Sequence, residues 1–403
     1  MGEWQNTKTK SENKPGDKPV NKPVNKPDHS TSEKSPDLSP DELAAQQTLE
    51  SFRPKTKADL TDMALAHKAG ILAQAFQGRL PTSLELKNIT EELGIELATA
   101  LFLRTLQDSK IHGPFARQVR AFDFRGWDAV TARAAKIEVA VVASNLFQSG
   151  RKWGEHVDDW RTWARDLGFT TDVIETDPRC SVAANARMIF EYLARSPNRR
   201  RIIVTYGQGT SEFRYMLHRR VQRDDNDPLP EEVRKICGWI NVCGAFAGSS
   251  SSRFFQESRV RRLIARLRFK VAGRNPIALA ETSSQFPLWR RPLPLIPGIE
   301  IASIVGMAYR HRVSASLAPT FNELAKSGPN DGAVSVVEAS AHPWSIVAVP
   351  GLSNWAENGI LEPAFKRTLA VIGQRIMEEY HDSEDQLSSI QSLRLTDLEH
   401  KRK

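Results

Sequence analysis

The sequence predicts an α/β protein: a mostly parallel, doubly wound sheet with helices on both faces, an N-terminal helical extension and a cap insertion. Three observations carry this. From Ile137 onward, short β-branched runs alternate with helix-length amphipathic stretches, the pattern of βαβ units. One run, Ile202-Ile-Val-Thr-Tyr-Gly-Gln-Gly-Thr-Ser211, passes through two glycines one residue apart into a helix. Of 403 residues, 40% are hydrophobic and 26% charged, enough to bury a large core.

Residues 1–40 hold six prolines, and Asn-Lys-Pro recurs at 13–15, 21–23 and 25–27. Such a segment is expected to be a disordered or polyproline-like tail. Residues 41–130 read as a helical extension. Ser39 and Pro40 precede DELAAQQTLESF, Asp59 to Phe76 has helical apolar spacing, and Thr82/Ser83 can cap a helix that Gly94 interrupts before Leu97–Leu106. The main domain spans 131–381. Expected strands are Ile137–Ala143, Phe169–Glu175, Arg201–Tyr206, Gly238–Cys243, Ile299–Met307 and Trp344–Val349. Helices are expected at Trp153–Leu167, Val182–Leu193, Gly209–Arg220 and Pro363–Tyr380. Residues 250–298 form the cap-like insertion, with an irregular return marked by Pro287, Pro292, Pro294 and Pro297. A polar tail, 382–403, closes the chain.

Several classes fall away. No apolar run approaches the roughly 18 residues of a membrane helix, and MGEWQNTKTK has no signal-peptide core. Cys180, Cys237 and Cys243 are odd in number and lack C-x-x-C spacing, against a disulfide scaffold or cysteine zinc site. No histidine pair has metal spacing, so neither metal nor cofactor is expected, and the cytoplasm is the default compartment.

The double-glycine turn is where chemistry is expected. A strand running through small residues into a helix is what a nucleophile elbow needs. Here the chain resembles the α/β-hydrolase superfamily, and within it a little-characterised bacterial subgroup with a G-Y-S-K-G-type elbow. Against G-x-S-x-G the chain has Thr205-Tyr206-Gly207-Gln208-Gly209. Val141-Val-Ala-Ser-Asn-Leu-Phe147 resembles the loop that donates an oxyanion-hole N–H. The resemblance assigns that donor to Asn145 or Leu146, and the second to the backbone of Gln208. Gly244-Ala-Phe-Ala-Gly-Ser249 resembles the turn after the next strand. The likeness covers about residues 90–380.

The resemblance places the triad acid at Asp331, within Pro329-Asn330-Asp331-Gly332, although Asn-Asp-Gly also favours a simple turn. It places the histidine at Asn354. Gly207 has no hydroxyl to attack a carbonyl, and asparagine takes no proton near neutral pH. Two of three roles are therefore missing, each normally worth orders of magnitude in rate. Ser211, the nearest hydroxyl, lies about one helical turn on, and His342 precedes the last strand. The turn could still present N–H groups of Gly207, Gln208, Gly209 and Thr210 to an anion, or be filled by water or by Gln208 or Asn354.

Net charge is +8. Arg253–Arg274 alone holds eight basic residues and one acid, Glu257, whereas the two tails nearly cancel. Val260, Leu263, Ile264, Leu267 and Val271 have helical spacing. Such a basic helix can be solvated, can form a cap offering Arg259, Arg262 and Arg266 to an anionic ligand, or can lie on a membrane. Nucleic acid is the weakest partner class, because no binding motif accompanies the charge.

The expectation is thus a catalytically degenerate α/β-hydrolase-fold protein that binds a small molecule or a protein. Two alternatives stay open: an active serine esterase with a differently placed triad, and an anion- or membrane-surface-binding protein using 253–274.

Overall fold

The structure is a computed structural model that describes residues 57–144, 151–196, 199–221, 229–293, 296–315, 317–340, 345–354 and 359–378. The expected tails, the helix at 41–56 and the donors Asn145 and Leu146 lie outside the described residues, as does His342.

The helices before the sheet are α1 (Lys57–Ala73), α2 (Ser83–Leu93), α3 (Ile95–Asp108), α4 (Gly113–Ala121) and α5 (Asp128–Ala134). Local chemistry sets their ends. Thr82 Oγ1 accepts from the Glu85 N–H while the Glu85 carboxylate accepts from the Thr82 N–H, a reciprocal capping box. Gly94, at φ +90°, turns the chain between α2 and α3, a conformation only glycine adopts cheaply. Leu86, Phe102 and Leu106 then pack with Val305, Met307 and Ile346, so the extension shares a core with the far edge of the sheet.

That sheet has six strands, all parallel: β1 (Glu138–Ala143), β2 (Thr170–Glu175), β3 (Arg201–Tyr206), β4 (Ile236–Val242), β5 (Glu300–Met307) and β6 (Ser345–Pro350). The order is β2-β1-β3-β4-β5-β6. The chain leaves β1 for the β2 edge and returns on the other side of β1. The direction of winding therefore reverses between β1 and β3, and ligands of open parallel sheets bind at the carboxyl ends there.

Crossovers are made by α6 (Arg151–Asp166), α7 (Val182–Arg195), α8 (Gln208–Val221) and the short α9 (Glu231–Arg234). Between β4 and β5 the chain makes α10 (Ser250–Glu257), α11 (Arg259–Val271) and α12 (Pro276–Glu281), then a 3-10 turn at Pro287–Arg290. The helices all precede Pro287, and the described part of the proline-marked return holds only that 3-10 turn. Pro276 and Pro287 each sit in a first turn, where a missing N–H costs nothing. After β5 come α13 (Ala318–Leu324) and α14 (Val336–Ala339), and α15 (359–378) ends the described chain.

Alternation along the strands splits the core in two. Val139, Val141, Ile202, Val204 and Tyr206 face α6 and α15, where Trp160, Trp163 and Phe365 pack on one another. Ala140, Val142, Ile203 and Trp239 face α7 and α8, against Ile189, Phe213 and Met216. Both faces of the sheet are covered, which is why its strands read as continuous apolar runs. Among the described residues no helix is long and apolar enough to cross a membrane.

Candidate functional site

Strand β3 is buried throughout. It ends at Tyr206, Gly207 takes φ +50°, and α8 begins at the next residue. A Cβ at Gly209 would lie 3.1 Å from Val142 Cγ1 and 3.3 Å from the Val142 carbonyl oxygen. This glycine therefore lets α8 pass directly over the end of β1. A buried chain of hydrogen bonds holds the turn to β4. Trp239 Nε1 donates to Thr205 Oγ1 (2.8 Å), Thr205 to Thr210 (3.1 Å), Thr210 to Asn241 Oδ1 (2.6 Å), and Asn241 Nδ2 to the Gly244 carbonyl (2.9 Å). Every member has a partner, the condition under which a buried polar chain rigidifies a core.

Two loops from the far side of the sheet meet this turn. After β5, Asp331 Oδ1 accepts from the N–H groups of Ala333 (2.8 Å) and Val334 (2.7 Å). After β6, Asn354 Nδ2 donates to Asp331 Oδ2 at 3.0 Å, and the Asn354 N–H donates to the Asp331 carbonyl at 2.7 Å. Tyr206 donates its hydroxyl to the Asn354 carbonyl. The residue before the elbow centre thus anchors the Asn354 loop, a link the sequence did not suggest. Asp331 fits both sequence readings: it closes a local turn and it faces Asn354.

Gly207, Gln208, Ser211, Ser252, Thr282 and Asn354 line one cavity. Its volume is about 30 Å³, room for a water but about a tenth of the smallest usual ligand pockets. Ser252 and Thr282 come from the excursion between β4 and β5. Their hydroxyls bond each other at 3.0 Å, so that segment covers the elbow. Gln208 does not fill the space. Its Nε2 turns away to Glu212 Oε1 at 2.7 Å.

Burial governs the charges. Asp331 is fully buried, and loss of water pushes its carboxyl up to about 7 against the pull of its three donors. Glu212, bonded by Asn185 Nδ2 at 2.7 Å and by Gln208, is likewise pushed up to about 7 by burial. Glu338 is raised for the same reason, while accepting from the N–H groups of Ser250 and Ser335. Ser335-Val-Val-Glu338 is a capping box readable in the sequence, and Glu338 uses its second oxygen to hold the start of α10. Among the described residues no histidine lines the cavity, and no group of three His, Cys, Asp or Glu side chains could hold a metal.

The three arginine candidates lie elsewhere. Arg259 and Arg266 are exposed on α11, and Arg262 donates to the Gln256 carbonyl. None lines the cavity. A larger groove of about 350 Å³ opens between α7 and α8, where Arg220 stacks 3.5 Å from the Phe190 ring.

A different arginine supports the site from below. Arg214 on α8 is 1% exposed. It donates to the carbonyls of Phe246 and Arg291 and lies 5.3 Å from the Trp289 ring. Burial lowers its guanidinium to about 10. It ties the elbow helix to both ends of the covering excursion. Arg214→Ala strands the buried Phe246 carbonyl and frees the part-buried Arg291 one, and is expected to cost about 1–3 kcal/mol, read by denaturant unfolding. Arg214→Lys, a single point donor, should recover only part of that loss.

The elbow after β3, an acid after β5 and its partner after β6 give the α/β-hydrolase fold, as the sequence resemblance implied. No family model and no curated protein matches the chain. Among solved structures it is similar to a metagenomic carboxyl esterase, at 20% identity and TM-score 0.47, covering 62% of this chain and 77% of that one. It is also similar to the mature lipase BlEst2 of Bacillus licheniformis, at 17% identity and TM-score 0.42, covering 57% and 88%. A third is the phospholipase PlaB of Legionella pneumophila, at 13% identity and TM-score 0.42, covering 61% and 63%.

Proposed function

We propose that this chain is a catalytically degenerate α/β-hydrolase-fold protein that acts by binding or interaction rather than by hydrolysis. The observation that carries the reading is the 3.0 Å bond from Asn354 Nδ2 to Asp331 Oδ2. In a triad, that place belongs to the imidazole N–H that the carboxylate orients. Asparagine keeps the donor and the loop geometry. It has no second nitrogen that can accept a proton from a nucleophile. At the elbow centre Gly207 keeps the left-handed backbone, φ +50°, and offers no attacking atom.

The small cavity supports the same reading. A space of about 30 Å³ is well below the usual size of a ligand pocket. Recognition is then assigned to the outside of the protein, with the elbow kept as a rigid scaffold.

The competing reading is an active serine hydrolase, and Ser211 is the serine to watch because it lines the same cavity. Purified protein should show no covalent labelling by a fluorophosphonate probe and no turnover of short-chain esters above a heat-denatured control. Labelling of Ser211, or of any other single serine, would overturn the degenerate reading.

A further inference from the structure

The sequence gives α11 an apolar stripe, and the structure turns that stripe outward. Val260, Leu263, Ile264, Leu267 and Val271 are between 46% and 89% exposed. The helix is held to the body by a different, narrower edge: Ala265 and Phe269 pack with Val182, Ala278 and Leu279. At 100° per residue the five exposed residues fall within about a third of the circumference. This is the apolar face of an amphipathic helix with nothing over it among the described residues.

The cations lie on both sides of that face. Helical spacing puts Arg259, Arg266 and Lys270 beyond one edge of the stripe and Arg268 beyond the other, and all four are exposed. The helix contains no acid. The nearest, Glu257, is paired with Arg253 at 2.9 Å. None of the four cations pairs with an acid among the described residues.

We infer that α11 docks this protein onto an anionic lipid surface, with its aliphatic stripe in the acyl boundary and its arginines at the headgroups. The charge arrangement selects that occupant. A helix lying in the interface needs aliphatic residues along one line and cations on both flanks, whose stems run along the apolar region while their heads reach the phosphates. The inference stands apart from the elbow reading, since no residue of α11 lines the elbow cavity.

The test is co-sedimentation of the full chain with vesicles of phosphatidylcholine alone or with about 30% phosphatidylserine, at low and high salt. Binding is expected on the anionic vesicles and should weaken with salt. Replacing Arg259, Arg266 and Arg268 together by glutamine should weaken it about a hundredfold, at roughly tenfold or less per cation. Leu263→Ser with Leu267→Ser should abolish it. All five side chains are exposed, so both variants should melt within a few degrees of the parent, which separates lost binding from lost fold. Several results would overturn the inference: no binding to anionic vesicles, binding that neither variant weakens, or a dimer that Leu263→Ser/Leu267→Ser dissociates while vesicles are ignored.

Discussion

Glu138→Ala is expected to lower the unfolding free energy by about 3–5 kcal/mol, the usual cost of breaking one side of a buried ion pair. Glu138 opens β1 and is 2% exposed, as is Arg201, directly across on β3. Arg201 Nε donates to Glu138 Oε1 at 2.7 Å, and Arg199 Nη1 donates to Oε2 at 2.5 Å. The Tyr192 hydroxyl, which donates to Asp172 at 2.6 Å, lies 3.2 Å from Glu138 Oε1, and its ring lies 5.5 Å from the Arg201 guanidinium. One guanidinium nitrogen, Arg201 Nη1, already has no partner. Removing the carboxylate leaves that charge buried with no anion between β1 and β3. Glu138→Gln keeps an acceptor and should cost less. Glu138→Met with Arg201→Met removes both charges and should regain most of the loss, because the desolvation penalty goes with them. Equilibrium urea unfolding of the four proteins decides the matter. A double variant no more stable than Glu138→Ala would mean that packing, not the stranded charge, sets the cost.

That pair also marks the limit of what the chain discloses about itself. Ile137–Ala143 reads as a buried strand because β-branched residues fill it, and the strand is there, starting at Glu138. A charged residue within such a run ordinarily argues for an edge. Only the parallel register that sets Arg201 opposite explains its burial. The elbow was legible for a local reason: Gly207 and Gly209 answer to backbone demands within a few residues. Asp331 and Asn354 were picked out by the family resemblance, but their contact spans two loops and no periodicity predicts it. The helix α11 shows the opposite limit. Spacing reveals an apolar stripe, and the same spacing serves a stripe facing the core or facing water. Which it is depends on Phe269 and Ala265 finding α12, a tertiary choice.

Stability is expected to be highest in mild acid and to fall as pH rises from about 4 to about 7. Three buried carboxyls set this direction. Asp331 moves from an ordinary 3.8 to about 7, Glu212 from 4.5 to about 7, and Glu338 is also raised. Below pH 4 folded and unfolded chains both hold these protons, so the groups do not discriminate. Between 4 and 7 the unfolded chain releases them and the folded chain keeps them. The folded state then binds more protons, and its stability must decline with pH. Above 7 the folded carboxyls ionise in place and the penalty levels off, on the order of 3 kcal/mol for a group so displaced. Glu85, lowered to about 2 by Arg79, acts with the opposite sign, but its contribution is lost only at still lower pH and it sits at the surface. Thermal melts of the parent at pH 5 and pH 8 should differ by several degrees in favour of pH 5. Glu212→Gln keeps an acceptor for Asn185 and Gln208 and cannot ionise, so its melting temperature should depend less on pH. A parent more stable at pH 8, or a variant with an undiminished slope, would contradict this account. The same electrostatics bear on Asp331. A triad aspartate orients a histidine and stabilises the imidazolium that forms on it, whereas Asp331 faces the neutral amide of Asn354, and burial raises its carboxyl to about 7.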